Sequence, residues 1–413
     1  MRLAGRDLWG RGGLLCAAAA GAALLLPGSA TAAPVATAVK LTGPKGAVPP
    51  GGKATLKATL TAAGKPLAGK GIAFLAGAAP AGQATTDSKG RAKLTVTLTA
   101  PTTYTATYTP TGPDAAAYSA AQSPPLQLAP AARLRVGIGS YLHAGRRAVG
   151  IPGSRVRVRG TLTPFTAGAQ VEVSVFRKGR RVKRKSVAVK QAGQVGKFAV
   201  TIKASKRGVH RVRVRQGAAT DSARLFVVRP SARGGSRGLA VRALQRRLKD
   251  LGYLAPVSGR YDGTTGRAVL AFRKVNGFSR TTSAGRSVFR RLARGGGGFK
   301  LRYPKAGKHA EFDWSRQVLV LARGARPVLI IHTSSGSSAT PTVFGNYRFY
   351  RKQPGYNSKG MYYSSYFVGG YAVHGYSPVP TFPASHGCLR IPIPSAKRVY
   401  GWIDVGDRMF TYR

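Results

Sequence analysis

The chain has 413 residues, with 67 Lys plus Arg against 11 Asp plus Glu, a formal charge of +56. That length allows about two to four domains. So few acidic residues leave little for a glycosidase, which needs paired carboxylates in one cleft. So large a charge attracts polyanions and weakens with salt.

The N-terminal segment argues against nucleic acid as that polyanion. Arg2, Arg6 and Arg11 form a positive stretch, 14–26 is an apolar run, and Ala30-Thr31-Ala32 gives a small-x-small cleavage pattern. This is the pattern of a secretory signal over 1–32. A spanning helix needs ~20 apolar residues and this run is shorter, so the expectation is a secreted chain with no membrane attachment after cleavage. Outside the membrane the available polyanions are wall-linked phosphate or uronate polymers and anionic lipid head groups. The charge then reads either as retention in an anionic envelope or as a drift toward Arg and Lys with no specific partner. Cys16 lies inside the apolar run, and Leu15 stands where a lipoprotein acceptor needs a small neighbour. Cys388 is then the single thiol of the mature chain, without a disulfide framework.

After the signal, 53–60, 91–98 and 103–109 alternate apolar or Thr positions with polar ones, and Asp87-Ser88-Lys89-Gly90 reads as a turn. Residues 33–130 are expected to form a β-sandwich. A second such unit covers 131–229, with strands at 155–163, 171–176, 197–202 and 209–215. Arg211, Arg213 and Arg215 put cations on one face of it, read in the first place as a solvated face that keeps edge strands from aggregating. Both units resemble the immunoglobulin-like modules that bacteria use as spacers on exported proteins.

At 230–237 a Ser/Gly/Arg linker follows, and the period changes. Val241, Leu244, Leu248 and Leu251 recur at helical spacing and stop at Gly252. Further helical runs cover 265–275 and 283–292, giving a small three-helix domain over 236–294. Val241, Leu244-Gln245, Leu248 and Leu251-Gly252-Tyr253, followed by Asp262-Gly263, Ala268-Val269 and Phe272, resemble the peptidoglycan-binding domain found beside wall hydrolases. Arg273 stands where that family often has Gln. Wall binding is what this resemblance implies; the periodicity itself gives a helical bundle.

Residues 295–298 are all glycine and are expected to be a flexible hinge. From 299 to 413 the chain reads mostly as strands, with 317–321 and 327–332 as a hairpin and a Tyr/Gly-rich stretch at 347–376. The fold class expected is multidomain and mainly β: two sandwich units, the three-helix bundle and a C-terminal all-β catalytic domain.

Cys388 could serve as a nucleophile, a metal ligand or a buried structural thiol. His309, His332, His374, His386, Glu311, Asp313, Asp404 and Asp407 are scattered without zinc-site spacing, so no metal and no cofactor is expected. A nucleophilic cysteine needs a base or positive charge nearby. His374 and His386 both qualify, and Arg390 adds a cation two residues beyond the thiol. No histidine follows Cys388, so the base must lie upstream, unlike papain-type peptidases.

His374-Gly375 followed by Ser385-His386-Gly387-Cys388-Leu389-Arg390 resembles the signature of the L,D-transpeptidase (YkuD) catalytic domain. Thr340-Pro341-Thr342 through Gly345-Asn346-Tyr347 resembles the family's turn ahead of the active site. The resemblance covers about 115 residues and implies roles. Cys388 would attack the carbonyl of the third residue of a peptidoglycan stem peptide and release the terminal D-Ala. His374 would be the base, its ring held by a carbonyl near Gly375. Ser385, His386 and Gly387 would line the site, and the Cys388 amide with a neighbour would form the oxyanion hole. Arg390 would hold a substrate carboxylate. An acceptor amine would give a 3→3 cross-link, a step in wall biogenesis and cell shape; water would make the enzyme an L,D-carboxypeptidase. A sortase-like enzyme places its His, Cys and Arg much further apart. The non-enzyme alternative is a wall-binding spacer protein. The expected partners are thus stem peptides and, by charge, anionic wall polymers, with no nucleic acid.

Overall fold

The computed structural model describes residues 33–413; the signal-like segment and Cys16 lie outside the described residues. The chain divides into two compact units, the first ending near Leu128 and the second running from Ala129 to Arg413, with short exchanges at 47–52 and 98–100.

In the first unit, Thr37–Thr42 pairs with Gly52–Ala62, which also pairs with Lys65–Pro66 and Arg91–Leu98. A second sheet orders Ala79–Thr85, Gly71–Ala76, Thr102–Tyr108 and Ala121–Gln122, with Leu126–Leu128 also on Thr102–Tyr108. Alternation sends Ala54, Leu56, Ala58 and Leu60 inward and leaves the residues between them partly or fully exposed. The turn at Asp87 is fixed by its own carboxylate, which accepts from the amides of Lys89 and Arg91, each at 2.9 Å.

The second unit starts as a sandwich. One sheet runs Arg133–Gly139, Ser154–Thr163, Val195–Ala204, Lys190–Ala192; the other runs Leu142–Ala144, Arg147–Gly150, Ala219–Val227, Gly208–Gln216, Gln170–Arg177, Arg180–Ala188. Val156, Val158, Val171, Val173, Val212 and Val214 fill the space between, and the Arg residues between them point out.

Three helices follow, Leu239–Asp250, Gly263–Val275 and Arg286–Ala293. Asp262 caps the second through the Thr265 amide at 2.7 Å. Gln245, fully buried, ties the first helix to that cap. It donates to Thr265 Oγ1 and the Arg260 carbonyl at 2.8 Å each and accepts from the Gly259 amide at 2.8 Å. Arg273 acts locally, donating to the Ser279 carbonyl at 2.5 Å and the Ser283 carbonyl at 3.4 Å, and so pins the loop to the third helix.

The C-terminal part holds two sheets. The first orders Arg326–His332, Val318–Arg323, Lys308–Asp313, Arg408–Tyr412 and Gly345–Arg348; the second orders Arg351–Tyr356, Tyr362–Val368, Tyr371–Tyr376 and Leu389–Pro392. One helix, Ile393–Trp402, packs across the second sheet with Pro394 in its first turn. The strand Val318–Arg323 is buried on both faces. Val318, Val320 and Ala322 share a core with the three helices, whereas Leu319 and Leu321 join Phe312, Phe349 and Leu389 on the other side. The helices therefore cover the outer face of the first of these two sheets.

The glycine run at 295–298 is not a hinge. Gly297 is buried, its carbonyl accepts from the Tyr253 hydroxyl at 2.7 Å, and a side chain there would run into the Phe272 ring. The Gly295 carbonyl accepts from Arg247 at 2.7 Å. Backbone bonds and close approach fix this strap to the bundle, so its composition reflects lack of space rather than freedom. The same core continues through Leu142 and Val149 of the second sandwich.

Candidate active site

Cys388 stands one residue ahead of the strand Leu389–Pro392. That strand runs parallel to Tyr371–Tyr376, with Val373 opposite Leu389 and His374 opposite Arg390. The thiol sulfur accepts from the Ala372 amide at 3.4 Å and faces the Gly370 carbonyl at 3.6 Å. Met361, Tyr366 and Ala372 pack around it, a more apolar setting than the polar Ser-His-Gly neighbours suggest. The turn above is stapled: Asn357 Oδ1 accepts from the Met361 amide at 2.9 Å, and the Tyr366 hydroxyl donates to Gln353 at 2.9 Å. Burial pushes the thiol pKa up, while the Ala372 amide, Arg390 and Lys359 pull the other way.

His374 is 2 % exposed. Its Nδ1–H donates to the carbonyl of Gly375 at 3.0 Å, which leaves Nε2 with a free lone pair. Burial, with Arg390 adding to it, pushes its pKa down to about 4. At neutral pH the pair is therefore an uncharged imidazole and a protonated thiol, and the two are not hydrogen-bonded in this structure. Such contacts often tighten only with substrate present. Gly375 lets the histidine strand lie against the C-terminal helix, since a Cβ there would stand 2.7 Å from that of Ala396.

The loop carrying the cysteine is fixed from several sides. Gly387 has φ +104° and lies under the Tyr371 ring, leaving no room for a side chain. Its carbonyl accepts from Thr342 Oγ1 at 2.6 Å, and Thr342 Oγ1 in turn accepts from the Gly336 amide at 3.0 Å. Thr340 Oγ1 donates to the Ser385 carbonyl at 3.1 Å. The Thr-Pro-Thr stretch thus buttresses the cysteine loop. Ser385 is buried and donates to the Cys388 carbonyl at 2.6 Å, so it shapes the loop from within. His386 is exposed. Arg390 donates to the Ala384 carbonyl at 3.2 Å and lies over the Tyr376 ring at 4.3 Å. Part of its donor set is committed to the scaffold, and its charge remains beside both the thiol and the imidazole.

Within the Tyr-rich stretch, Tyr366 and Tyr371 lie at the cysteine, whereas Tyr362 and Tyr363 pack into the core beneath the sheet. Sequence reasoning missed Thr342 as a buttress, Met361 as a lining residue and Lys359 as a nearby cation. His309 and Glu311 pair in the core at 3.2 Å, and Glu311 also accepts from the amides of Arg302 and Tyr303. Among the described residues no group of three or more His, Cys, Asp or Glu is arranged to hold a metal.

A mainly β domain thus carries Cys388 at the mouth of one strand and the buried His374 on the next. Residues 307–410 match the model of the L,D-transpeptidase (YkuD) catalytic domain, and 237–292 match a peptidoglycan binding domain. A solved L,D-transpeptidase from Xylanimonas cellulosilytica is 34 % identical, over 45 % of this chain and 98 % of that one, with a TM-score of 0.42. An L,D-transpeptidase from Stackebrandtia nassauensis is 20 % identical over 45 % and 96 %, TM-score 0.29. The catalytic domain of an E. faecium L,D-transpeptidase is 21 % identical over 26 % and 98 %, TM-score 0.24. No curated protein sequence matches the chain. The chain belongs to the L,D-transpeptidase family; the domain matches and the 34 % identity carry that assignment, and the superpositions carry none of it.

Proposed function

We propose that the protein is an exported cysteine L,D-transpeptidase that makes 3→3 cross-links between peptidoglycan stem peptides. The observation that carries this reading is the His374 tautomer: Nδ1–H is committed to the Gly375 carbonyl, so Nε2 can only accept a proton. As Cys388 Sγ attacks the carbonyl carbon of the third stem residue, His374 Nε2 takes the thiol proton. The tetrahedral oxyanion is held by backbone amides at the Gly387–Cys388 turn. His374 then gives the proton to the departing amine of D-Ala as the C–N bond breaks, leaving a thioester on Cys388. An acceptor amine attacks the thioester, His374 removes its extra proton, and the sulfur leaves with that proton. Starting from uncharged partners avoids a preformed thiolate, consistent with a thiol whose pKa is raised by burial.

Export over 1–32, action at the wall and retention there by charge complete the proposal. The peptidoglycan binding domain supports peptidoglycan as the partner. Incubating the full chain with tetrapeptide muropeptides and weighing the products tests it. Loss of D-Ala with new 3→3 dimers is expected; D-Ala loss without dimers would make it a carboxypeptidase, and neither product would refute the assignment.

A further inference from the structure

The second sandwich carries a trough on the outer face of its four-stranded sheet, with a cavity volume of about 810 Å³. Arg135, Arg157, Arg159, Lys190 and Lys197 line it, and all five are exposed. None of the five makes a salt bridge, a side-chain hydrogen bond or a ring contact among the described residues. No Asp or Glu occurs in the four strands Arg133–Gly139, Ser154–Thr163, Lys190–Ala192 and Val195–Ala204. Asp221 reaches the rim from the other sheet, where its carboxylate accepts from the amides of Val136 and Ser222 at 2.7 Å each.

The arrangement is costly as it stands. Lys190 lies directly opposite Lys197, and further along Arg155 lies opposite Lys203. Like charges across a ladder destabilise it unless an anion lies between them. Protection against edge pairing does not account for them. Arg135 and Lys190 lie on the edge strands, but Arg157, Arg159 and Lys197 are on the two central strands of this sheet, at positions paired on both sides. Gly137 and Ala199 flank Arg159 in register, so small residues keep the floor open between the cations.

We propose that this trough binds a linear phosphodiester polymer. Arginine forks suit phosphate oxygens, and successive outward residues on one strand set the cations about 7 Å apart, a spacing for repeated charges along a chain. The volume suits several repeats rather than one ion. Single-stranded nucleic acid needs aromatic platforms for its bases. The aromatic side chain in these strands, Phe198, is 4 % exposed and offers none. The inference rests on the wall reading only for where such a polymer would be met.

The test is binding of full-length protein to poly(glycerol phosphate), with oligothymidylate of equal phosphate count as comparator. The combined Arg157→Gln, Arg159→Gln, Lys197→Gln variant is expected to bind the polymer at least 10-fold more weakly, and its log K against log salt slope should fall by about 2. Removing as many charges (Arg180→Gln, Arg181→Gln, Lys183→Gln) from the opposite end of the strand Arg180–Ala188, whose Ala188 lines the trough, should cost less than 3-fold. Thermal melts verify folding, and Lys190→Gln with Lys197→Gln, which relieves the opposed charges, is a second disruption expected to weaken binding at least 3-fold. Equal losses in trough and control variants would overturn the proposal, as would oligothymidylate binding as tightly as the polymer. The assay contains no stem peptide and no turnover, so it stands or fails separately from the transpeptidase reading.

Discussion

Lys274, on the second bundle helix, donates to His332 Nδ1 in the first C-terminal sheet at 2.8 Å, with 4 % and 3 % of the two residues exposed. The same nitrogen reaches the carbonyls of Gln317 at 3.1 Å and Thr333 at 3.0 Å. On its far side, His332 Nε2–H donates to the Val379 carbonyl at 3.0 Å, in the loop that joins His374 to Cys388. Burial, with Arg280 adding to it, lowers the Lys274 pKa. Three acceptors around one nitrogen oppose that shift by engaging all three protons of an ammonium. A polar chain thus runs from the peptidoglycan-binding helices to the back of the active-site loop.

Lys274→Met should therefore affect both stability and turnover. It leaves His332 Nδ1 and the Thr333 carbonyl without this donor, while the Gln317 carbonyl keeps the Thr333 amide at 3.2 Å, at an expected cost of about 3 kcal/mol in urea unfolding. Loosening the Val379 loop should also slow transpeptidation by about 3–10-fold, roughly 1 kcal/mol on the barrier. A variant that matches the parent in both measurements would show that the bundle and the loop joining His374 to Cys388 act independently.

The glycine strap makes a second prediction. If 295–298 were a hinge, limited trypsin digestion would cut beside it, at Arg294 or Lys300, and separate bundle from catalytic domain. With Tyr253, Arg247 and Phe272 holding the strap, a fragment spanning 237–413 should persist and unfold in a single transition.

Acid should act through two buried histidines. The pKa of His374 is pushed down to about 4 and that of His332 to about 3, mainly by burial. Both take up protons more readily in the unfolded chain, near pH 6.5. Their stabilising contribution is complete above that pH and is lost as pH falls through about 4 and about 3. For His374 alone the linkage is about 3 kcal/mol. Thermal melts from pH 7 to pH 3 should show the decline, and the acid limb of the rate profile should fall near pH 4 rather than pH 6.5. An acid limb at the ordinary histidine value would contradict the buried, neutral base.

Gly387→Ala places a methyl group in the Tyr371 ring at a φ of +104°. Strain and overlap together should cost about 2–3 kcal/mol in unfolding. Displacement of the Cys388 amide should lower the rate by at least ~100-fold. Loss of activity without loss of stability would place the defect in the oxyanion site alone.

Much of this was readable from sequence because the signals were local. The period-2 runs at 91–98 and 103–109, the helical spacing from Val241 to Leu251 and the Ser-His-Gly-Cys core each depend on neighbouring residues. The glycine strap is not legible in sequence because composition alone does not distinguish freedom from lack of space; that depends on Phe272 and Tyr253, remote in sequence. The shared core was hidden for a similar reason. Val318-Leu319-Val320-Leu321-Ala322 is apolar without alternation, a sign of a strand buried on both faces, yet its second partner lies some fifty residues upstream. The helix Ile393–Trp402 begins at Pro392-Ile393-Pro394, where proline suits a first turn. Thr342 and Lys274 reach the site only through tertiary contacts.

The most direct test of the central claim is the intact mass of the protein after exposure to a tetrapeptide stem donor. The account predicts an adduct equal to the donor less D-Ala, located on Cys388 and discharged by an acceptor amine. The adduct should be absent from Cys388→Ala and form far more slowly in His374→Ala. An adduct on the Cys388→Ala protein, or continued release of D-Ala by it, would contradict the account.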